Sequence, residues 1–131
     1  MTVVDASVLV SALVDSDRRG VWARSKLRKG PFAAPHLVIA EATHALRRAQ
    51  LNKRLPPEIA TLAFADLLQT PVELYPFLPF AERIWQLRDT LSVYDAWYVA
   101  LAEALGVPMA TLDERLANAP GPFCRFHMPP S

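Results

Sequence analysis

Short apolar runs alternate with longer stretches of helical periodicity along the whole chain, and the first run already shows the pattern. Thr2-Val3-Val4 predicts a short buried strand, Asp5 interrupts, and Ala6 to about Val14 predicts a helix. A polar turn, Asp15-Ser16-Asp17, leads into a second helix that carries Trp22 and ends at Gly30-Pro31. Phe32-Ala33-Ala34 predicts a second strand. Pro35 is expected at the first turn of a helix running to about Leu51, a position where its missing N–H costs nothing. Pro56-Pro57 opens another helix, in which Ile59, Leu62, Ala63 and Leu67 recur at helical spacing, and Thr70-Pro71 breaks it. Val72 to Tyr75 predicts a strand, followed by a helix through Ala81, Ile84, Trp85 and Leu87 that ends near Asp89. Ser92 to Leu105 is the clearest helix, stopped by Gly106 and Pro108. Pro108 to Leu112 predicts a strand, Glu114 to Ala117 a helical turn, and Phe123 to His127 a last strand.

Strands that alternate with helices point to an α/β domain around a parallel sheet. The 131 residues suit one hydrophobic core, and no repeat or linker divides them. The expectation is a single domain over residues 1–131, with residues 128–131 as a frayed end.

Composition adds a constraint. Hydrophobic residues make up 52% of the chain, high for so small a domain, which implies a large core, apolar surface reserved for a partner, or both. Net charge is only +1, which by itself does not indicate a nucleic-acid binder. The basic residues are nevertheless clustered, at Arg18, Arg19, Arg24, Lys26, Arg28 and Lys29, and again at Arg47, Arg48, Lys53 and Arg54. Such clusters track a phosphate backbone or form solvated helix faces. Cys124 is the only cysteine, which rules out an intrachain disulfide and fits a reducing cytosol. Its apolar neighbours suit a small core residue better than a nucleophile. Trp22, Trp85 and Trp97 read as core or interface anchors. No run is long and apolar enough to cross a membrane, and the opening residues do not read as a signal peptide, so a cytoplasmic location is expected.

Four carboxylates stand in places that cost energy. Ligand sites in parallel sheets form outside the carboxyl ends of the strands, and there both Asp5 and Asp113 are expected. Each could equally serve as a helix N-cap. Glu41 lies one helical turn from Leu37 and Ala45, on a largely apolar face, where it needs a partner or an edge from which to reach water; His44 could be that partner. Asp95 completes a capping-box pattern from Ser92, yet it opens the apolar stretch Ala96 to Ala102, the mark of a central helix.

If the four acids meet, a cation has to meet them. Two carboxylates about 5 Å apart repel by about 3 kcal/mol at an effective dielectric near 20. An all-oxygen site suits Mg²⁺ or Mn²⁺ rather than zinc, and Ser7 and Thr111 can add hydroxyl or water-mediated contacts. Acids of this kind beside basic patches point to phosphodiester chemistry. No glycine-rich nucleotide cradle and no zinc spacing of Cys and His is present, and the histidines are dispersed.

With these residues assembled, the sequence resembles a PIN-domain ribonuclease, and specifically a VapC-type toxin of a bacterial type II toxin–antitoxin system. The stretches that carry the resemblance are VVDASVLV, APHLVIAEATHALRR, Leu87-Arg88, and YDAWYVALAEALGVPMATLDERLA, in order from residue 3 to residue 117. The resemblance implies a PIN-like three-layer fold, with a short central parallel sheet flanked by helices on both sides. It implies that Asp5, Glu41, Asp95 and Asp113 form the catalytic metal site for Mg²⁺, or Mn²⁺, where a water is activated to attack RNA. Asp113 would hold or tune the metal, and Ser7 and Thr111 match small hydroxyl positions in support. Arg18, Arg19, Arg24, Arg47 and Arg48 are candidate RNA contacts. A cognate antitoxin in an apolar groove and a homodimer are the implied partners. Two other readings remain: a catalytically silent PIN-like binding module, and a phosphoacceptor receiver domain. The latter expects paired acids after the first strand and a lysine after the fifth; here Asp5 stands alone and no lysine follows Lys53.

Overall fold

The side chains of Val3 and Val4 are wholly buried, and their strand sits at the centre of the sheet for that reason: both of its faces are covered. A computed structural model describes the chain from Met1 to Ser131. Its strands are β1 (Thr2–Val4), β2 (Phe32–Pro35), β3 (Glu73–Tyr75), β4 (Met109–Ala110) and β5 (Phe126–His127). They form one parallel sheet in the order β3-β2-β1-β4-β5. The helices are α1 (Ala6–Val14), α2 (Arg18–Arg28), α3 (Leu37–Leu51), α4 (Pro57–Gln69), α5 (Ala81–Gln86), α6 (Val93–Leu105) and α7 (Glu114–Ala117), with a 3-10 turn at Leu78–Phe80.

The strand order fixes the layers. Going from β1 to β2 to β3 the chain moves toward one edge, and from β3 to β4 to β5 it moves toward the other. Right-handed crossovers therefore put α1 to α4 on one face and α5 and α6 on the opposite face. This is the expected three-layer α/β fold. On α6, Ala96, Val99, Leu101 and Ala102 are fully buried, so it is the central helix that its all-round apolar sequence predicts. No helix is long and apolar enough to cross a membrane.

Local chemistry explains most element ends. Asp5, Asp17, Ser92 and Asp113 each cap a helix through a side-chain oxygen, and Gly106 ends α6 in the left-handed conformation at φ 66°. Pro57 opens α4 at its first turn as expected. Pro35 does not open α3. It is the last residue of β2, opposite Tyr75, and the helix begins at Leu37 once the amide of His36 has bonded the carbonyl of Tyr75. The final strands are also shorter than the apolar runs suggest. Phe123 cannot join β5, because its amide is bound by the carboxylate of Glu103, which Arg83 holds from α5 at 2.7 Å. The tail after His127 has no regular structure, but Met128 and Pro129 are half-buried, and Pro129 to Ser131 lie along the α2 residues Trp22 and Ser25.

The corner between α1 and α2 leaves no room for a side chain at Gly20. A Cβ on Gly20 would lie 2.0 Å from the carbonyl oxygen of Asp15. The guanidinium of Arg24 closes the same corner, donating to the carbonyls of Asp15 at 2.7 Å and Ala12 at 3.2 Å. Arg24 thus satisfies the carbonyls at the end of α1. Arg24, one of the candidate RNA contacts, therefore has its Nη1 engaged within the fold.

Candidate active site

The chain leaves β1 toward one edge and β4 toward the other, so a crevice opens between their carboxyl ends. Asp5 follows β1, while Thr111 and Asp113 follow β4. Asp5 is 9% exposed and Thr111 is fully buried. One carboxylate oxygen of Asp5 accepts from the Ser7 hydroxyl at 2.5 Å and from the amide of Val8 at 3.2 Å. The other accepts from the Thr111 hydroxyl. The amide of Leu112 donates to Ser7 Oγ, and the amide of Asp113 to Thr111 Oγ1. Ser7 and Thr111 therefore stitch the two strand ends together around Asp5. Asp5 caps α1 and at the same time faces the crevice, because the N-terminus of α1 opens there.

Glu41 projects from the second turn of α3. Its partner is Tyr98 on α6, whose hydroxyl donates to Glu41 Oε1 at 2.5 Å. His44 lies exposed farther along the same helix and makes no bond to Glu41, which corrects the expectation for that pair. Tyr98 is only 2% exposed, and it lies three residues after Asp95, on the same side of α6. That spacing was the signal by which Tyr98 could have been found in the sequence. Asp95 takes only half of the capping box. Its amide bonds Ser92 Oγ at 3.1 Å, while its carboxylate turns toward Arg115. Arg115 is the second residue that motif reading missed. Its guanidinium lies 3.3 Å from both Asp95 and Asp113, joining the two acids across the crevice.

The electrostatics follow from this placement. Burial raises the Asp5 carboxyl above its ordinary range; the bonds from Ser7, Thr111 and Val8 oppose the shift, and Asp113 adds to it. Burial also raises Glu41, against the Tyr98 bond, with Asp95 and Asp5 adding to the rise. Tyr98 is pushed up as well, by burial and by Glu41. The four acids thus sense one another in pairs. No three of them already stand as a closed metal cage. The donor set itself, four carboxylates and two hydroxyls, is all oxygen and suits a hard divalent cation. Two of its carboxyls are raised by burial and by neighbouring acids, a cost that a cation would reverse.

A groove of about 880 Å³ runs outward from Ser7 and Glu41 between α1 and α3. Val10, Val14, Leu37 and Ala45 give it an apolar floor, and Arg19 and Arg48 stand in its walls. Arg18 and Arg47 are exposed beside it.

Replacing Tyr98 with Phe is expected to leave the fold intact at a cost of about 1 kcal/mol, because only Glu41 loses a donor. Any catalysis at this site should fall about tenfold as Glu41 is freed to rotate. Wild-type turnover by Tyr98→Phe, measured beside its thermal melt, would show that Glu41 needs no such support.

Comparison with known proteins places this geometry. Residues 2–122 match the profile of the PIN domain. The chain is 43% identical over 127 residues to Ribonuclease VapC1 of Mycobacterium tuberculosis, covering 96% of each protein. Among solved structures, PAE2754 from Pyrobaculum aerophilum superposes with a TM-score of 0.69 at 25% identity, over 88% of this chain and 76% of that one. Mycobacterium tuberculosis VapC20, described as a Sarcin-Ricin loop cleaving toxin, superposes with a TM-score of 0.66 at 21% identity, over 88% of this chain and 92% of that one.

Proposed function

Since the chain belongs to the PIN-domain family and to its VapC group, we propose that it is an endoribonuclease dependent on Mg²⁺ or Mn²⁺, acting as the toxin of a toxin–antitoxin pair. The observation that carries this reading is Asp5. It is a buried carboxylate at the sheet's switch point, and every partner that holds it is neutral.

A bound divalent cation supplies Lewis-acid activation of water and neutralises charge developing on the scissile phosphate. Asp5, Glu41 and Asp95 would hold it, with Asp113 tuning the site from the cap of α7. Ser7 and Thr111 keep both oxygens of Asp5 in place, so that its charge does not have to be oriented during the reaction. Tyr98 does the same for Glu41. Arg19 and Arg48, in the groove walls, offer charge to an RNA backbone, and Arg18 and Arg47 extend that surface. The apolar floor between α1 and α3 suits the amphipathic segment of a cognate antitoxin. A homodimer and a cytoplasmic location belong to the same reading.

The test is incubation of the pure protein with total RNA, followed by mapping of the cleaved ends. Cleavage should require added Mg²⁺ or Mn²⁺ and stop with EDTA. Cleavage that persists in EDTA, or none in either cation, overturns the reading. Expression in a bacterial host should arrest growth, and co-expression of the cognate antitoxin should restore it. Harmless expression of active enzyme would remove the toxin role.

A further inference from the structure

Outside the crevice, the fold gathers cations that the catalytic reading leaves unused. Lys26 of α2 reaches across to β5, placing its Nζ 3.2 Å from Nδ1 of His127, a residue 101 positions away in sequence. An ammonium can only donate, so Nδ1 accepts and the remaining imidazole proton sits on Nε2, free to donate outward. Lys26 also lies over the ring of Trp22, 5.7 Å from its centroid. Lys29 and Arg125 stand close enough to act on this pair. We propose that Lys26, Lys29, Arg125 and His127 form a phosphate-binding subsite that takes a backbone phosphate of the RNA strand beyond the crevice; this rests on the ribonuclease reading.

Charge balance supports the assignment. The protein's three ion pairs are made by Arg83 and Arg115, and none involves these four residues. Burial lowers Lys26, and Lys29 lowers it further; burial also lowers His127, assisted by Lys26, Arg125 and Lys29. No ion pair with a carboxylate offsets this repulsion. A cluster of unpaired cations is costly by itself and becomes favourable once an anion is shared among them.

Position supports it as well. The carbonyl of His127 accepts from the amide of Thr111, the residue whose hydroxyl holds Asp5. The subsite therefore lies next to the catalytic strand β4, two strands from β1, or about 10 Å across the sheet. Lys26 comes from α2, which packs on α1, so the cluster is on the same face of the sheet as α1. A strand with its scissile phosphate at Asp5 can reach it within a short length of backbone.

The measurement is anisotropy of a fluorescein-labelled single-stranded RNA with the full-length protein in EDTA, over a range of salt. Lys26→Ala should weaken binding about fivefold at 0.1 M salt and lower the slope of log K against log salt by about 0.7, the signature of one lost phosphate contact on a single strand. His127→Ala and Lys29→Ala should weaken it in the same direction, and Lys26→Arg should restore the slope. Lys29 is exposed, so its variant reads binding even if Lys26→Ala fails to fold. Unchanged affinity and slope in Lys26→Ala and Lys29→Ala overturn the subsite. A loss of inorganic phosphate binding by calorimetry, with the RNA slope unchanged, also overturns it as an RNA contact. Adding Mg²⁺ to the same wild-type sample separates the two readings: no cleavage with a slope that still falls in Lys26→Ala removes the ribonuclease and leaves the subsite.

Discussion

Asp5→Asn is expected to lose about a thousandfold of metal-dependent RNA cleavage, and to melt higher than the wild-type protein in metal-free buffer. The loss follows from the site: removing several kcal/mol of stabilisation from the transition state amounts to about three powers of ten. The gain follows from burial. When ionised, Asp5 holds its charge in a nearly dry position beside Asp113, with only neutral donors around it. An amide of the same shape still accepts from Ser7 and Val8, and the Thr111 hydroxyl can rotate to accept from the new nitrogen. About 1 kcal/mol, or about 4 °C, is the expected rise. The pH dependence has a definite sign. The folded carboxyls of Asp5 and Glu41 are raised, so between the ordinary carboxylate range and their raised values the folded protein binds more protons than the unfolded chain. Metal-free stability should therefore fall as pH rises through that window, and less steeply in Asp5→Asn. If Asp5 were only a helix cap, the variant would keep its activity, because asparagine caps a helix about as well as aspartate. Equal cleavage by variant and wild type in saturating Mg²⁺ sinks the metal-ligand role.

Gly20→Ala should cost about 3 kcal/mol, which lowers the melting temperature by about 12 °C. The new Cβ would lie 2.0 Å from a backbone oxygen, that of Asp15, and no side chain can yield to relieve it. That oxygen is also the one Arg24 binds, while the Gly20 amide bonds Asp17 at 3.2 Å, so the whole corner must shift together. The opposite end of α1 carries Asp5, and a loosened corner should lower cleavage too. A thermal melt decides the matter. A loss of under about 2 °C would mean that α1 and α2 separate without cost.

These expectations show which parts of the protein were legible in its sequence. Strand–helix alternation fixed the α/β class and most helix ends, because Asp5, Ser92 and Gly106 act through neighbours within a few residues. Asp5 and Glu41 were legible as oddities, since a strand end and an apolar helix face make a carboxylate costly there; Asp95 and Asp113 stood out only as possible caps. Pairing was not legible. His44, close in sequence, was the expected partner of Glu41, but Tyr98, 57 residues away, holds it. Arg24 looked like one more cation of a basic stretch, but its Nη1 closes the α1–α2 corner. Pro35 looked like a helix opener until β3 paired beside it.

By itself, then, the sequence determined the periodicity, the caps and the chemical types of the site residues, all of which depend on contacts within a turn or two of chain. Only the tertiary structure decided the strand order that puts Asp5 and Asp113 on either side of one switch point, and the meeting of Arg115 with Asp95 and Asp113. It also decided the meeting of Lys26 with His127. Contacts of this kind depend on which faces pack together, and no local pattern encodes that choice. The strand order arises when the whole apolar surface is buried at once, and the charged groups are then carried wherever their strands and helices end.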